Sequence, residues 1–345
     1  MIRPSPMIRL PRIVSFGSTR LALRPAASAA LGKLLSPWVL CVLVGIVLLS
    51  VSTQRFVLGD WFRSTGWTRF VALVGFNLCV AMVLCNYVLC VFTHPGSVDR
   101  SWEPAGLEGF GTIDPTCEHY VEIKSDSDSR PRFCKTCSVF KPPRAHHCRQ
   151  CRSCILRMDH HCPWIENCVG FYNQGHFVRF LVYASLSCTM CLAFVVQYMW
   201  GFFASVFQHL AKGSKDPPDE GLRLLIAGIN LLVLIPLTSI VVMLTSTQLH
   251  YLVTNQTTIE CLEKDEFSFA KSGKVSKLRH PFHIGYFENI KAILGDNIWL
   301  WLLPQRMKGD PYTYPIAILE DSVIESHNSR SPVAEEPFVG RTEPS

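Results

Sequence analysis

The sequence predicts an all-α membrane protein with four transmembrane helices and a cysteine-rich domain between the second and third helices. Two observations lead to this fold class. Hydrophobic residues make up 48% of the 345 residues and charged residues only 17%, which is typical of a chain that places apolar surface in a bilayer. The chain also contains four long stretches without Asp, Glu, Lys or Arg, at 34–54, 70–98, 180–211 and 224–259.

Each of these stretches is long enough to cross a bilayer, because a helix needs about 20 apolar residues to span the hydrocarbon core. We therefore predict transmembrane helices at Leu35–Val51, Phe70–Phe92, Phe180–Phe207 and Leu224–Leu249. An even number of spans places both termini on the same side of the membrane. The sequence thus predicts a multi-pass integral membrane protein.

Basic residues concentrate in the segment before the first helix and in the segment between the second and third helices. An excess of Lys and Arg in short flanks marks the cytoplasmic side of a membrane protein, so both segments and both termini are expected to be cytosolic. One alternative concerns the N-terminus alone. Its Arg-rich, Ser-containing and acid-free composition also resembles a mitochondrial presequence.

Composition divides the chain into seven segments. Residues 1–34 are the basic N-terminal segment, 35–92 hold the first two helices, and the polar residues 93–131 are expected to form a linker. The cysteine-rich domain covers 132–179, helices three and four lie in 180–249, and 250–309 form a C-terminal region with an expected interfacial helix near 290–303. Residues 310–345 are rich in proline, serine and acids, a composition that predicts disorder.

Seven cysteines and four histidines lie between Arg132 and Val169. A reducing cytoplasm disfavours disulfides, so the C-x2-C pairs predict tetrahedral zinc sites. Two such sites need eight ligands, which leaves three of the eleven candidates surplus. Spacing favours Cys162 as the unligated cysteine, because the pairs Cys134/Cys137 and Cys148/Cys151 can be completed by the remaining cysteines and by histidines. Spacing alone does not decide which residues are surplus.

The segment Cys134–Phe180 resembles the cysteine-rich domain of the DHHC family of protein S-acyltransferases. The resemblance rests on the K-P-P-R-A-H-H-C sequence at Lys141–Cys148 and on the D-H-H-C-P-W sequence at Asp159–Trp164. Thr257–Glu260 is similar to the family's T-T-x-E motif, and Asn289 to the asparagine of its C-terminal motif. His94-Pro95-Gly96 departs from the family's D-P-G, which leaves the role of that motif here open.

The resemblance implies two structural zinc ions with interleaved ligands and a reactive cysteine outside both sites. Cys162 would be the nucleophile, His160 its general base, and Asp159 the residue that orients His160. One zinc ion would be bound by Cys134, Cys137, His147 and Cys154, and the other by Cys148, Cys151, His161 and Cys168. In an extended strand, alternate side chains point to opposite faces. His160 and Cys162 would therefore share one face and His161 would face the metal.

The implied activity is protein S-palmitoylation. Cys162 would accept the acyl group of palmitoyl-CoA, or of another long-chain acyl-CoA, and pass it to a substrate cysteine in a ping-pong reaction. Moving a sixteen-carbon chain into water costs about 12 kcal/mol, so its cavity should lie among the four helices. The phosphates of CoA suit a basic face formed by Lys141, Arg144, Arg149 and Arg152, although each residue is also compatible with an ordinary solvated position.

Ser187 is expected near the closed end of the acyl cavity, because it lies ten residues, or about 15 Å of helix, beyond Phe177. The alternative is that its small side chain lets helices pack closely. The expected partners are acyl-CoA and proteins with cytosolic cysteines near the membrane, and the resemblance implies an endomembrane such as the ER, Golgi or vacuole. Three other functions are weaker: a membrane-anchored ubiquitin ligase, an inactive scaffold, and a nucleic-acid-binding zinc ribbon. The last lacks interleaved aromatic residues, so no nucleic-acid partner is expected.

Overall fold

The computed structural model describes residues 31–57, 66–107, 121–125, 128–212, 220–262, 266–271, 274–307 and 309–316. Within them, four helices are long and apolar enough to cross a membrane. They are α1 (Pro37–Ser52), which a π-helical turn at Thr53–Val57 extends, α2 (Gly66–Phe92), α3 (Gln174–Ala211) and α4 (Gly221–Thr254). The four predicted helices are confirmed.

Helices α3 and α4 are longer than the sequence predicts. They contain 38 and 34 residues, which corresponds to about 57 Å and 51 Å at the usual rise per residue. Hydropathy marks only the residues suited to the bilayer core, which is about 30 Å thick. The first turns of α3, Gln174–Arg179, are instead buried and partly polar. They continue the helix into the region occupied by the cysteine-rich domain.

Helix α3 packs against both α2 and α4. The bundle interior is apolar, and the side chains of Phe76, Val195 and Leu234 have no exposed surface. A polar contact joins α1 to α4, where the side chains of Ser52 and Asn230 hydrogen-bond at 3.0 Å. Because lipid tails are as apolar as the helix surfaces, such polar contacts help to fix how helices associate.

The cysteine-rich domain between α2 and α3 consists of three antiparallel hairpins with very short strands. β3 (Phe133–Cys134) pairs with β4 (Val139–Phe140), β5 (His146–Cys148) with β6 (Ser153–Ile155), and β7 (His160–Cys162) with β8 (Asn167–Val169). The residue directly before each second strand has a left-handed backbone: Ser138, Arg152 and Glu166. Isolated hairpins of this length are not stable in water, so their stability has to come from side-chain interactions.

A four-stranded antiparallel sheet, not predicted from the sequence, lies beside the hairpins. Its order is β10-β9-β1-β2, with β1 (Val121–Ser125) and β2 (Asp128–Pro131) before the hairpins and β9 (Glu266–Lys271) and β10 (Lys274–Arg279) after α4. The end of the expected linker, 93–131, is therefore sheet rather than irregular chain. The pairing of β1 with β9 also places the segment before α3 and the segment after α4 on one side of the membrane.

The C-terminal region contains two further helices, α5 (Thr258–Leu262) and α6 (Tyr286–Leu294), and a 3-10 turn at Ile298–Leu300. The expected interfacial helix at 290–303 is thus divided in two. Trp299 is 84% exposed, and the interfacial position of this segment stays a prediction.

The beginning of the C-terminal tail is ordered, although disorder was expected from Asp310 onward. Residues 311–316 pack against the domain, and the rings of Tyr314 and Phe282 lie 5.8 Å apart. The packing of aromatic side chains explains why this short stretch is ordered although its composition is polar. The rest of the tail, 317–345, and the basic N-terminal residues 1–30 lie outside the described residues.

Candidate active site and metal centres

Two clusters of cysteine and histidine side chains lie within the hairpins. In the first, the Nδ1 atom of His147 lies 3.6, 3.2 and 3.9 Å from the sulfur atoms of Cys134, Cys137 and Cys154. In the second, the Nδ1 atom of His161 lies 3.6, 3.5 and 3.5 Å from the sulfur atoms of Cys148, Cys151 and Cys168. In each cluster the four possible ligand atoms lie within 4.8 Å of one another. The structure therefore brings together the two sets of four residues that the resemblance implies.

Both clusters have the dimensions and the chemistry of a tetrahedral zinc site. Zinc–sulfur bonds of about 2.3 Å and zinc–nitrogen bonds of about 2.0 Å place neighbouring ligand atoms roughly 3.6 Å apart, close to the distances found here. Each cluster offers three thiols and one imidazole, a donor set that favours zinc. The clusters are interleaved, because strand β5 contributes His147 to the first and Cys148 to the second. Both can hold a metal ion.

Cys162 belongs to neither cluster. It lies at the end of β7, an extended strand in which His161 turns towards the second cluster. The side chains of His160 and Cys162, on either side of His161, share the opposite face of the strand, close enough for the sulfur to affect the pKa of the imidazole. The order His-His-Cys thus directs one histidine to a metal site and presents the other to a cysteine thiol.

His160 is held between Cys162 and the carboxylate of Asp159. Its Nδ1 atom lies 2.7 Å from Oδ2 of Asp159, and Asp159 has no exposed surface. Burial alone lowers the pKa of His160, but the hydrogen bond to Asp159 and the neighbouring sulfur of Cys162 together raise it to about 9. The imidazole is therefore well suited to hold a proton taken from the thiol.

The carboxylate of Asp159 is fixed by the start of helix α5. The backbone N–H of Thr258 donates to Oδ1 at 2.7 Å, and its hydroxyl donates to Oδ2 at 3.0 Å. Burial alone would raise the pKa of Asp159, but the hydrogen bonds from His160 and Thr258 keep it below its usual value. Asp159 is thus an ionised, oriented acceptor for the N–H group of His160.

Cys162 lies where the hairpins meet the ends of the transmembrane helices. It is 7% exposed and belongs to an apolar cluster with residues of α1, α2 and α3, namely Val39, Tyr87, Cys90, Val91, Phe177 and Leu181. The hydroxyl of Tyr87 donates to the backbone oxygen of Trp164 at 2.7 Å, which ties the segment after Cys162 to α2. The thiol therefore has an imidazole on one side and apolar helix ends around it.

The cysteine-rich domain is joined to the end of α4 by a buried polar network. The guanidinium of Arg144 pairs with both carboxylate oxygens of Glu260, at 2.6 and 2.8 Å. Asn255, which ends α4 with a left-handed backbone, accepts hydrogen bonds from Arg144 and Arg157. Removing one partner of a buried ion pair costs about 3–5 kcal/mol, so this network stabilises the docking of the domain onto the bundle.

Arg144 is therefore not part of a basic surface for CoA, contrary to the sequence-based expectation. It is 1% exposed, and its guanidinium is already occupied by Glu260 and Asn255. The other three predicted residues have different environments. Arg149 and Arg152 are exposed in the turn between β5 and β6, whereas Lys141 lines a cavity of about 540 Å³ beside the four-stranded sheet.

The remaining residues singled out from the sequence lie in α3, in α6 and in the turn after α2. Ser187 is buried in α3. Asn289 is fully buried and donates to the backbone oxygen of Val253 at 2.7 Å, which fixes α6 to the end of α4. In the H-P-G sequence, Nδ1 of His94 accepts a hydrogen bond from the N–H of Gly96 at 3.1 Å. The imidazole of His94 thus accepts the hydrogen bond that closes this turn.

Asn167 is a further residue of the site that sequence reasoning missed. Its side-chain amide donates to backbone oxygens of Cys90 and Thr93 at 3.0 and 2.9 Å. These two bonds satisfy backbone carbonyl groups at the end of α2. The last carbonyl groups of any helix have no partner within the helix and need one from outside. Asn255, at the end of α4, was missed as well, and its side chain is buried and hydrogen-bonded. An asparagine directly after a long apolar run is a known helix-ending signal.

Comparison with known proteins agrees with this geometry. The family model described as "DHHC palmitoyltransferase" matches residues 127–265. The chain is 35% identical to palmitoyltransferase PFA4 of Mycosarcoma maydis over 81% of its own length and 60% of that protein. It is 35% identical to probable protein S-acyltransferase 16 of Arabidopsis thaliana over 71% and 79% of the two chains. It is 31% identical to palmitoyltransferase ZDHHC3 of Rattus norvegicus over 70% and 73%.

Proposed function

The chain belongs to the DHHC palmitoyltransferase family, which makes it a protein S-acyltransferase, and we propose that Cys162 is the nucleophile that carries the acyl group. In this proposal His160 is the general base and Asp159 orients it. Cys134, Cys137, His147 and Cys154 bind one structural zinc ion, and Cys148, Cys151, His161 and Cys168 bind the other. The acyl donor is palmitoyl-CoA or another long-chain acyl-CoA.

The observation that carries this proposal is the position of Cys162. Six of the seven cysteines between Arg132 and Val169 lie in the two metal clusters, and a thiolate bound in a closed zinc site is a poor nucleophile. Cys162 alone of the seven has a histidine–carboxylate pair beside it. This arrangement has the components of an activated nucleophile: a thiol, a base within reach, and a third group that orients the base.

The proposed reaction has two steps. In the first, His160 takes the proton of Cys162, the thiolate attacks the thioester carbonyl, and the carbon–sulfur bond to CoA breaks. CoA leaves as a thiolate and takes the proton from His160, so an acyl-enzyme and free CoA are formed. In the second, a substrate cysteine gives its proton to His160 and its thiolate attacks the acyl carbonyl. The carbon–sulfur bond to Cys162 breaks, and Cys162 takes the proton from His160, which restores its thiol.

The hydrogen bond from His160 to Asp159 supports both steps. Because Nδ1–H is donated to the carboxylate, the lone pair on Nε2 is left for the thiol. Zinc bound in the two clusters would hold the short hairpins in place, and with them the backbone of β7. The metal therefore positions the reacting groups in this proposal, and the proton transfers belong to His160.

Replacing His160 with alanine should slow autoacylation by about 10²–10⁴-fold at pH 7, since general-base assistance is usually of this size. Both zinc ions should remain bound, because His160 lies outside the two clusters. The rate should recover as the pH rises above about 8.5, where a free cysteine forms thiolate without a base. The measurement is hydroxylamine-sensitive labelling of the purified variant by palmitoyl-CoA across this pH range. An unchanged rate at pH 7 excludes the role assigned to His160.

The acyl chain is proposed to lie among the helix ends beside Cys162 and to extend along α3 towards Ser187. Ser187→Phe should then shift the preferred acyl-CoA towards shorter chains by closing this route. Autoacylation rates with twelve- to eighteen-carbon donors test the proposal, with Leu186→Phe as a control because Leu186 is on an exposed face of the same helix. An unchanged chain-length profile in a zinc-loaded Ser187→Phe protein argues that Ser187 serves helix packing instead.

We further propose that the cysteine-rich domain and both termini face the cytosol of an endomembrane such as the ER, Golgi or vacuole. The excess of Lys and Arg in the corresponding segments supports this orientation. Substrates would be proteins with a cytosolic cysteine close to the bilayer, because Cys162 lies at the helix ends. Protease protection of tagged termini in sealed microsomes tests the cytosolic orientation. Termini that are protected from added protease contradict it.

A further inference from the structure

Gln248 is a buried polar residue at the end of a transmembrane helix. It lies in the charge-free part of α4, six residues before the helix ends at Thr254, and it is 7% exposed. It shares a buried face of the helix with Thr245 and Leu252. A buried amide is unfavourable unless it forms hydrogen bonds, so its contacts show what it is there to do.

The amide of Gln248 contacts the carboxylate that orients His160. Its Nε2 atom donates to Oδ2 of Asp159 at 3.1 Å and lies 3.4 Å from the hydroxyl oxygen of Thr258. Oδ2 is also the oxygen that accepts from His160 at 2.7 Å. The opposite orientation of the amide would place its oxygen against an ionised carboxylate, two acceptors with no donor between them. The chemistry of Asp159 therefore sets the orientation of Gln248.

This orientation leaves the other end of the amide unsatisfied. Within the described residues, Oε1 of Gln248 is buried and has no hydrogen-bond partner, which is destabilising for a buried acceptor. An apolar residue of similar shape would leave no unsatisfied acceptor at this position. The unsatisfied acceptor therefore indicates that the N–H group facing Asp159 is the useful part of this side chain.

We propose that Gln248 is a positioning residue for the acyl-transfer reaction and acts through Asp159. Its amide holds Oδ2 in the direction from which His160 donates, and it links the carboxylate to a transmembrane helix. Thr258 holds Asp159 from the C-terminal region, whereas Gln248 holds it from the bundle. The inference rests on the proposed function, because it requires that Asp159 orients His160.

A double-mutant cycle with Asp159→Asn tests this inference, because only a residue that acts through Asp159 loses its effect when the carboxylate is removed. Gln248→Met removes the amide and keeps a similar volume. In the otherwise native protein it should lower the maximal autoacylation rate about tenfold, with two zinc ions per chain and a half-saturating palmitoyl-CoA concentration within twofold of the native value. In the Asp159→Asn background the same change should alter the rate less than twofold.

Two further proteins complete the experiment. Thr247→Met introduces the same side chain at the neighbouring, exposed position of α4 and should leave the rate unchanged. If Gln248→Met loses zinc, Gln248→Leu replaces it, since leucine also lacks the N–H donor and places no charge beside Asp159. The rate of Cys162 alkylation by iodoacetamide is measured in every variant and gives the same comparison where acylation is too slow to follow.

An equal loss of rate in both backgrounds would show that Gln248 serves the structure only, and a native rate in Gln248→Met would overturn the inference directly. Both results leave the proposed function intact as long as Asp159→Asn itself slows acylation. A native rate in Asp159→Asn removes the orienting role of the carboxylate, and with it the role of Gln248. Failure of the proposed function is recognised separately, by acylation that persists without Cys162.

Discussion

Replacing Cys137 with serine, or His147 with alanine, should reduce the bound zinc from two ions per chain to one and destabilise the cysteine-rich domain. Both residues belong to the first cluster, where the sulfur atom and Nδ1 lie 3.2 Å apart. Structural zinc contributes about 10–16 kcal/mol of apparent binding energy in small metal-dependent domains. The two- and three-residue strands of these hairpins offer little to replace it. Autoacylation should fall at least a hundredfold with the loss of the fold.

Zinc content by mass spectrometry and thermal unfolding in detergent measure this effect. His146→Ala is the matched control, because His146 adjoins His147 in β5 but belongs to neither cluster and lies against Arg132 instead. It should retain both zinc ions. A Cys137→Ser or His147→Ala protein that is fully zinc-loaded and active contradicts the assignment of the first cluster.

The four helices could be predicted from the sequence because membrane insertion depends on local composition. Each charge-free stretch satisfies the length of a bilayer by itself, and no tertiary contact is needed to recognise it. The eight residues of the two metal clusters could also be predicted, from motif spacing together with the family resemblance. The strand alternation that separates His161 from His160 and Cys162 follows from backbone geometry alone.

The polar contacts that join the domain to the bundle could not be predicted in this way. Arg144 resembles any solvated arginine in the sequence, and its partner Glu260 lies 116 residues away. Gln248 gives no local signal, because its role depends on where Asp159 meets the end of α4. Both residues depend on long-range docking, which composition and spacing do not encode.

The four-stranded sheet was missed for a related reason, since β1 pairs with β9 across both helices α3 and α4. One local signal was available. The runs at 266–271 and 274–279 flank Ser272-Gly273, a turn sequence that favours a two-residue hairpin connection. Lysines weaken the alternation of apolar and polar residues on either side of this turn, so the pattern did not identify the two strands.

Replacing Cys162 with serine should abolish autoacylation while both zinc ions stay bound. The hydroxyl of serine is far less acidic than a thiol, so the neighbouring imidazole cannot generate a comparable nucleophile. Cys162 lies outside both metal clusters, and serine has a similar size, so the fold should remain. We expect a loss of at least a thousandfold in hydroxylamine-sensitive labelling. Cys261→Ser, which changes an exposed cysteine outside the clusters, is the control and should be labelled normally.

The most direct test of the acyl-enzyme account is a chase on the native protein. The purified enzyme is loaded with labelled palmitoyl-CoA, freed of the donor, mapped by peptide mass spectrometry, and then mixed with a cysteine-containing acceptor peptide. The account predicts one thioester, on Cys162, whose label moves to the peptide without further palmitoyl-CoA. A label on another residue, or transfer that requires fresh palmitoyl-CoA, contradicts it.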